Sequence, residues 1–358
     1  MKFVDIYHYK NNSFNIMRMF LACVVLLTHS FYLYEGKGNY VDYLLRWTNY
    51  QVGSGTLAVY CFFIISGFMI IQSLERSPNI WNYIKKRLLR IIPAFAFALF
   101  FITFIIAPIV SDITLQDYWS FAPGSPLHFF FHSLSFHIIE YSWSIEGVFT
   151  HNPWPAGLNG SMWTLKHEIA AYIVLPILFI IFARRKREFF VLLSLLIVSF
   201  TLIEKYTALR ILELSPDYWV MGGGEYIKFL IFSVFFCMGA IYWLYKEYIP
   251  VSKKLLCIAV ILSVLASFIP YMIAVLFVTL PYITLVVGSM FSVQSFTTYG
   301  DFSYGMYILA FPIQQTLMHF ITQDGMTVYT FFMISLLMTF ILSMFSWFII
   351  EKPALRFK

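Results

Sequence analysis

Ten runs of about twenty mostly apolar residues dominate this sequence, at approximately 16–34, 52–74, 88–110, 163–183, 189–203, 227–245, 255–269, 271–291, 302–321 and 328–350. A hydrocarbon core about 30 Å thick is crossed by roughly 20 residues rising about 1.5 Å each, so each run is a candidate span, 189–203 and 255–269 being the shortest. Lipid offers no partner to backbone amides, which leaves helices as the form such runs take. The expected fold is an all-α polytopic transmembrane bundle of about ten spans. The seventh and eighth runs meet at Pro270, so nine or eleven spans remain open. Of the 358 residues 60% are apolar and 12% charged, against about 45–50% and about 25% in soluble domains. A water-soluble fold is excluded.

The basic residues between the runs set an orientation. With the N-terminus inside, the cytoplasmic segments hold 17 Lys and Arg and the opposite segments hold five. Lys and Arg are retained on the cytoplasmic side, so both termini are expected there. The net charge of +6 therefore reads as topology, with the bilayer and no nucleic acid as partner. The first run carries Arg18 and lacks a small-residue cleavage site after it, as a retained span would. Cys23, Cys61, Cys237 and Cys257 lie inside apolar runs, where no disulfide framework is expected. One segment breaks the rhythm of short loops: 111–162, expected outside, contains His and Trp but no Lys or Arg. Segments this long are usually functional or disordered, and its apolar stretch at 127–139 suggests a cover packed on the membrane face. No internal repeat stands out, and residues 1–358 read as a single domain.

A charge inside a span costs at least about 2.5–3.5 kcal/mol on insertion scales, which makes each one a functional candidate. Arg18 and His29 are eleven residues apart, which returns to within about 20° of one helix face and separates them by about 16 Å along the axis. They line one groove, or they are a snorkelling Arg and a His bonded to a neighbouring helix. Lys85-Lys86-Arg87-Leu88-Leu89-Arg90, with Pro93 following, stands at the cytoplasmic mouth of the third run. Arg87 and Arg90 share a face, and two guanidinium forks suit a phosphate or pyrophosphate; the plain alternative is a positive-inside anchor. Arg184-Arg185-Lys186-Arg187 lies beyond its run and reads as an anchor.

Ser66 sits in the segment Phe62-Phe63-Ile64-Ile65-Ser66-Gly67-Phe68, where small residues permit close helix contact and the hydroxyl offers a hydrogen bond. Glu168 follows Trp163-Thr164-Leu165-Lys166-His167 on the external side, with Tyr172 one turn on. A carboxylate there must be paired, hydrogen-bonded or protonated; it is an acid, base or acceptor-orienting group, or it pairs internally with Lys166 or another polar residue. His128 and His132, with His137 nearby, have zinc spacing on a helix, but no second cluster supports them and no metal is expected. Asp301 and Ser303 read as a helix cap.

Taken together these residues resemble the acyltransferase-3 family, multi-spanning bacterial enzymes that acylate sugars of surface glycans. Asn15-Ile16-Met17-Arg18 with His29 has the spacing of its Arg-x10-His motif, and Gly55 to Phe68 is similar to its Phe-rich Ser-Gly-Phe segment. Arg87-x-x-Arg90 before Pro93 resembles its arginine motif, and Trp163-Thr164-Leu165 with Glu168 and Tyr172 its Trp-(Ser/Thr)-Leu-x-x-Glu motif. Ser303-Tyr304-Gly305-Met306-Tyr307 and Glu351-Lys352-Pro353 complete the order. The sequence departs from the family at Asn15, where Asp is common, and at Ala310, where His is common. No esterase-like domain of the kind some relatives append is expected.

The resemblance implies transfer of an acyl group, acetyl foremost, from cytoplasmic acyl-CoA to a hydroxyl of a surface or exported glycan, free or lipid-linked, in the bacterial cytoplasmic (inner) membrane. Arg18, Arg87 and Arg90 would hold the phosphates of acetyl-CoA. The pantetheine arm would reach toward His29, whose ordinary pKa of about 6.5 suits a base that removes the sugar proton. Ser66 or a helix dipole would stabilise the oxyanion, and Glu168 would orient the acceptor or tune His29. A covalent acyl-histidine relay is the mechanistic variant. The rival class is a glycan or small-molecule transporter or flippase, since such residues also line substrate paths. The acceptor sugar and the oligomeric state are not legible.

Overall fold

A computed structural model of the chain describes residues 1–9, 11–36, 42–77, 79–111, 114–135, 144–182, 185–206, 225–291, 300–321 and 325–358. Lys37, His137, Trp143, Arg184 and Arg210 lie outside the described residues. Among the described residues ten long helices run in order: α1 (Phe14–Glu35), α2 (Ser54–Arg76), α3 (Ile80–Phe100), α4 (Leu165–Ile181), α5 (Lys186–Tyr206), α6 (Glu225–Leu244), α7 (Lys253–Ala266), α8 (Met272–Met290), α9 (Ser303–Phe320) and α10 (Val328–Ser346). Among the described residues there is no strand, only two isolated bridges. Each apolar run thus holds a helix, and α7 and α8 are separate, parted by the turn around Pro270.

Seven of the helical stretches are long and apolar enough to cross a membrane. The other three, α5, α7 and α9, fall short for physical reasons. The 14 residues of α7 rise only about 21 Å, and α5 carries charge at its first turn. The polar Gln314 and Gln315 lower the hydropathy of α9. α3 starts eight residues earlier than its apolar run, so Lys85 to Arg90 are helical, and it continues through a π turn at Phe101–Ile106 to Val110. A π turn misaligns the backbone ladder, and the Tyr118 hydroxyl donates to the carbonyl of Thr103 there.

α10 shows the solvent these helices meet. Leu337, Ile341 and Phe345 point outward, 61%, 54% and 48% exposed, while Ser335, Thr339, Ser343 and Ser346 are fully buried. Apolar outside and small polar inside is the reverse of a helix in water, and it fits a helix whose outer face meets lipid. The same outward display occurs at Leu192, Leu195 and Leu196 on α5. The chain is a multi-pass membrane protein.

The chain divides into two compact units. The first comprises Met1–Leu21, Tyr43–Tyr83 and His167–Tyr299. Its core is the crossing of α2 and α6, where Gly67 meets the backbone of Phe236 and Gly239 that of Ile64. Phe63 stacks on Phe232 at 4.5 Å, and Tyr60 on Phe235 at 4.5 Å. The N-terminal segment packs onto the same unit: Phe3 and Tyr7 abut Phe68, the amide of Gln72 donates to the Tyr7 hydroxyl at 2.5 Å, and the Ser13 hydroxyl donates to Gly288 O at 3.1 Å.

The second unit comprises Ala22–Asp42, Ile84–Lys166 and Gly300–Lys358. Leu33, Phe311, Met318 and Phe331 form its buried apolar cluster, with Trp154 packed against it. Residues 152–164 are tied to α9 by side-chain amides. Asn152 donates to Gln315 O and Oε1 at 2.9 and 2.8 Å, Gln315 donates to Trp154 O and Gly157 O at 2.9 and 2.7 Å, and Asn159 donates to Ile308 O at 2.8 Å. These bonds satisfy loop backbone that would otherwise be unpaired in the interior.

Candidate active site

Three groups of side chains carry chemistry, two in the second unit and one in the first. His29 projects from the second half of α1. It is half-buried, and its Nδ1 is enclosed with no hydrogen-bond partner among the described residues. The centroids of its ring and that of Phe311 are 5.1 Å apart, with the planes at 83°, the edge-to-face arrangement that aromatic rings prefer. Gly160 makes room for that contact, since a β-carbon there would lie 2.5 Å from Phe311 Cε2. On the same turn of α1, Gln314 donates to Leu26 O at 3.0 Å and to Ser30 Oγ at 2.7 Å.

The second group lies on α3. Arg87 and Arg90 are one turn apart, and the Arg90 guanidinium pairs with the carboxylate of Asp301, the side chains being 17% and 12% exposed. Trp347 lies 5.8 Å from the same guanidinium carbon, within reach of a cation–π contact. Asp301 also accepts from the backbone N of Ser303 at 3.2 Å and from its hydroxyl, so it caps the first turn of α9 while it holds Arg90. Lys358 shares this neighbourhood. Burial, and then the positive charges of Arg90, Arg87 and Lys86, push its ammonium down to about 8, with Asp301 opposing. Several cations crowded against one carboxylate make a place where an added anion is welcome.

The third group joins α2 to α4. The Ser66 hydroxyl donates to Glu168 Oε1 at 3.4 Å, and the Tyr172 hydroxyl donates to the same oxygen. Tyr83 in turn donates to the backbone O of Tyr172 at 3.3 Å. Glu168 is half-buried. A carboxylate oxygen accepting two hydroxyls is held in a fixed orientation, and its second oxygen is left to engage another donor.

Of the residues singled out in the sequence, the structure brings Ser66 and Glu168 into contact and sets Arg87 and Arg90 on one helix. Arg18 and His29 share the uninterrupted α1, Arg18 belonging to the first unit and His29 to the second. His128 and His132 stack at 3.9 Å on a short helix, and the described residues contain no group of three or more candidate metal ligands. Sequence reading missed Asp301 as the partner of Arg90, 211 residues away, and missed Gln314 and Gln315. The two glutamines had a signal, being polar residues inside an apolar run. Asp301 had only its cap position. Glu351, from the final motif, is buried and accepts from Ser346 Oγ at 3.0 Å.

The family described as an acyltransferase domain matches residues 11–350. The chain is 26% identical over 355 residues to an "O-acetyl transferase" of Shigella phage Sf6, a likeness covering 96% of both proteins. It is 25% identical over 231 residues to "Nodulation protein 10" of Rhizobium leguminosarum bv. viciae, covering 60% of this chain and 58% of that protein. No solved structure matches it.

Proposed function

Because the chain belongs to the acyltransferase-3 family and is therefore an acyl-transferring enzyme, we propose that it moves an acetyl group from cytoplasmic acetyl-CoA to a hydroxyl of a surface or exported glycan. It does so from the bacterial cytoplasmic membrane, with about ten spans and both termini inside. The observation that carries this reading is His29, a half-buried histidine in an apolar helix, with an enclosed Nδ1 that no group among the described residues engages. A buried ring nitrogen without a partner among the described residues is costly in such a place, and a substrate hydroxyl offsets that cost. The name of the Shigella phage relative, an O-acetyl transferase, supports acetyl as the group moved and oxygen as its destination.

In this mechanism Arg87, Arg90 and Lys358 bind donor phosphates, and the family resemblance gives Arg18 a duty toward the same donor. Charge-assisted hydrogen bonds to phosphate are about twice as strong as neutral ones, and the Arg90 guanidinium is pre-oriented for them by Asp301. His29 takes the proton of the acceptor hydroxyl as its oxygen attacks the thioester carbon. The C–S bond breaks, the proton passes to the departing thiolate, and the ester and free CoA leave. General-base assistance of this kind is worth about 10²–10⁴-fold. Glu168, fixed by Ser66 and Tyr172, orients the acceptor through its remaining oxygen.

The test uses purified protein in liposomes, radiolabelled acetyl-CoA, and de-O-acetylated glycan from cells that express the protein. Label in the glycan is the expected result. Counterflow of unmodified glycan without any transfer overturns the reading in favour of a transporter.

A further inference from the structure

We propose that Gln314 is a positioning residue for the transfer step, one that sets the direction of the His29 imidazole by clamping the turn of α1 that bears it. The inference rests on the reading of His29 as the base. Gln314 is fully buried, as are the two groups it holds, Leu26 and Ser30. Its Nε2 donates to Leu26 O at 3.0 Å and to Ser30 Oγ at 2.7 Å, and Ser30 Oγ itself donates to Leu26 O at 3.0 Å. Three polar groups thus close a small ring on one turn of α1, and His29 is the residue next to Ser30.

The orientation of the amide is fixed by chemistry. A backbone carbonyl only accepts, so the nitrogen must face Leu26, and Oε1 is turned the other way. That oxygen is buried and has no hydrogen-bond partner among the described residues. An apolar side chain of the same size would have avoided this cost, since an unsatisfied buried acceptor is destabilising. A packing role alone does not account for a glutamine here, whereas holding the His29 turn does. Phe311 strengthens the argument. It lies one turn before Gln314 on α9, and its ring packs nearly perpendicular to that of His29 with centroids 5.1 Å apart. Consecutive turns of α9 therefore hold the turn of α1 that bears the base, through Leu26 O and Ser30 Oγ, and the ring of the base itself. Rotation of the imidazole away from the attacking hydroxyl is opposed at both points. A misplacement of about 1 Å in such a group costs about 10²-fold in rate.

The experiment measures kcat and KM for radiolabelled acetyl-CoA with the full-length protein in liposomes, for wild type, Gln314→Leu, Ser30→Ala, His29→Ala and the double variant His29→Ala with Gln314→Leu. Gln314→Leu is expected to lower kcat about 10- to 100-fold with KM for acetyl-CoA within about twofold of wild type. The double variant should be no slower than His29→Ala, because a residue that acts through the base has nothing to act on once the base is gone. Should Gln314→Leu fail to elute as a monodisperse peak, Ser30→Ala carries the test, with an expected loss of kcat of about three- to tenfold. An unchanged kcat in the folded variant, or losses that multiply in the double variant, overturns the positioning role. If His29→Ala itself retains full activity, the reading of His29 as base fails instead, and the two failures are told apart.

Discussion

Replacing Gly67 by alanine puts a β-carbon 2.0 Å from the carbonyl oxygen of Phe236 and 2.8 Å from its carbonyl carbon. Ordinary contact begins near 3.4 Å, so α2 and α6 must part by about 1.4 Å along that line, or the two backbones must bend. The obstacle is main chain, which has no rotamer to swing aside. Overpacking of this kind costs about 1–3 kcal/mol, and a backbone clash belongs at the upper end. Separation also loosens the stacked pairs Phe63–Phe232 and Tyr60–Phe235, both at 4.5 Å. It strains the neighbouring Ser66–Glu168 bond, which has no slack at 3.4 Å. The assay is thermal denaturation in detergent, followed by size-exclusion recovery, together with acetyl transfer at a temperature where both proteins are folded. Gly67→Ala is expected to melt several degrees below wild type, taking about 2–4 °C per kcal/mol, and to transfer more slowly even when folded. A variant that melts within about 1 °C of wild type refutes the close helix contact from which the magnitude was worked.

Other outcomes follow from the same geometry. If Arg87 and Arg90 hold the donor phosphates as proposed, the double substitution Arg87→Ala with Arg90→Ala is expected to raise KM for acetyl-CoA at least tenfold while changing kcat far less, because the cations would then supply uniform binding; steady-state kinetics checks it. Lys358, with its ammonium pushed down to about 8, is charged below that pH and neutral above it, so KM for acetyl-CoA should climb from pH 7 to pH 9. Lys358→Ala should flatten that rise. In stability the sign is opposite: between about 8 and the ordinary lysine value the unfolded chain binds the extra proton, so the folded state gains as pH rises through that window. Gly160→Ala forces the Phe311 ring off its contact, and a fall in kcat of about tenfold with KM unchanged is expected in the transfer assay.

Apolar length made the helices legible, since a run of twenty apolar residues admits little else in lipid. Pro270 likewise marked where α7 and α8 part. The i, i+3 spacing placed Arg87 and Arg90 on one face, because helical periodicity is a local property. Partners far apart in sequence carried no such mark. Asp301 offered itself as a cap, and nothing near it in the chain pointed to Arg90. The contact between Ser66 and Glu168 needs the packing of α2 beside α4, which periodicity does not specify. Gly67 stood in plain view as a small residue, but only the folded crossing shows that it meets the backbone of Phe236, and that Gly239 meets that of Ile64. Gln314 and Gln315 lay inside an apolar run, where a buried amide is costly unless bonded. That cost was a readable signal of a structural or functional duty.

The central claim is that His29 removes the acceptor's proton. Single-turnover transfer of labelled acetyl from acetyl-CoA to de-O-acetylated glycan, in liposomes holding wild-type protein or His29→Ala, tests it most directly. The rate constant is predicted to fall by about 10²–10⁴-fold in the variant, with acetyl-CoA binding retained. A variant that transfers acetyl within about twofold of the wild-type rate would contradict the account.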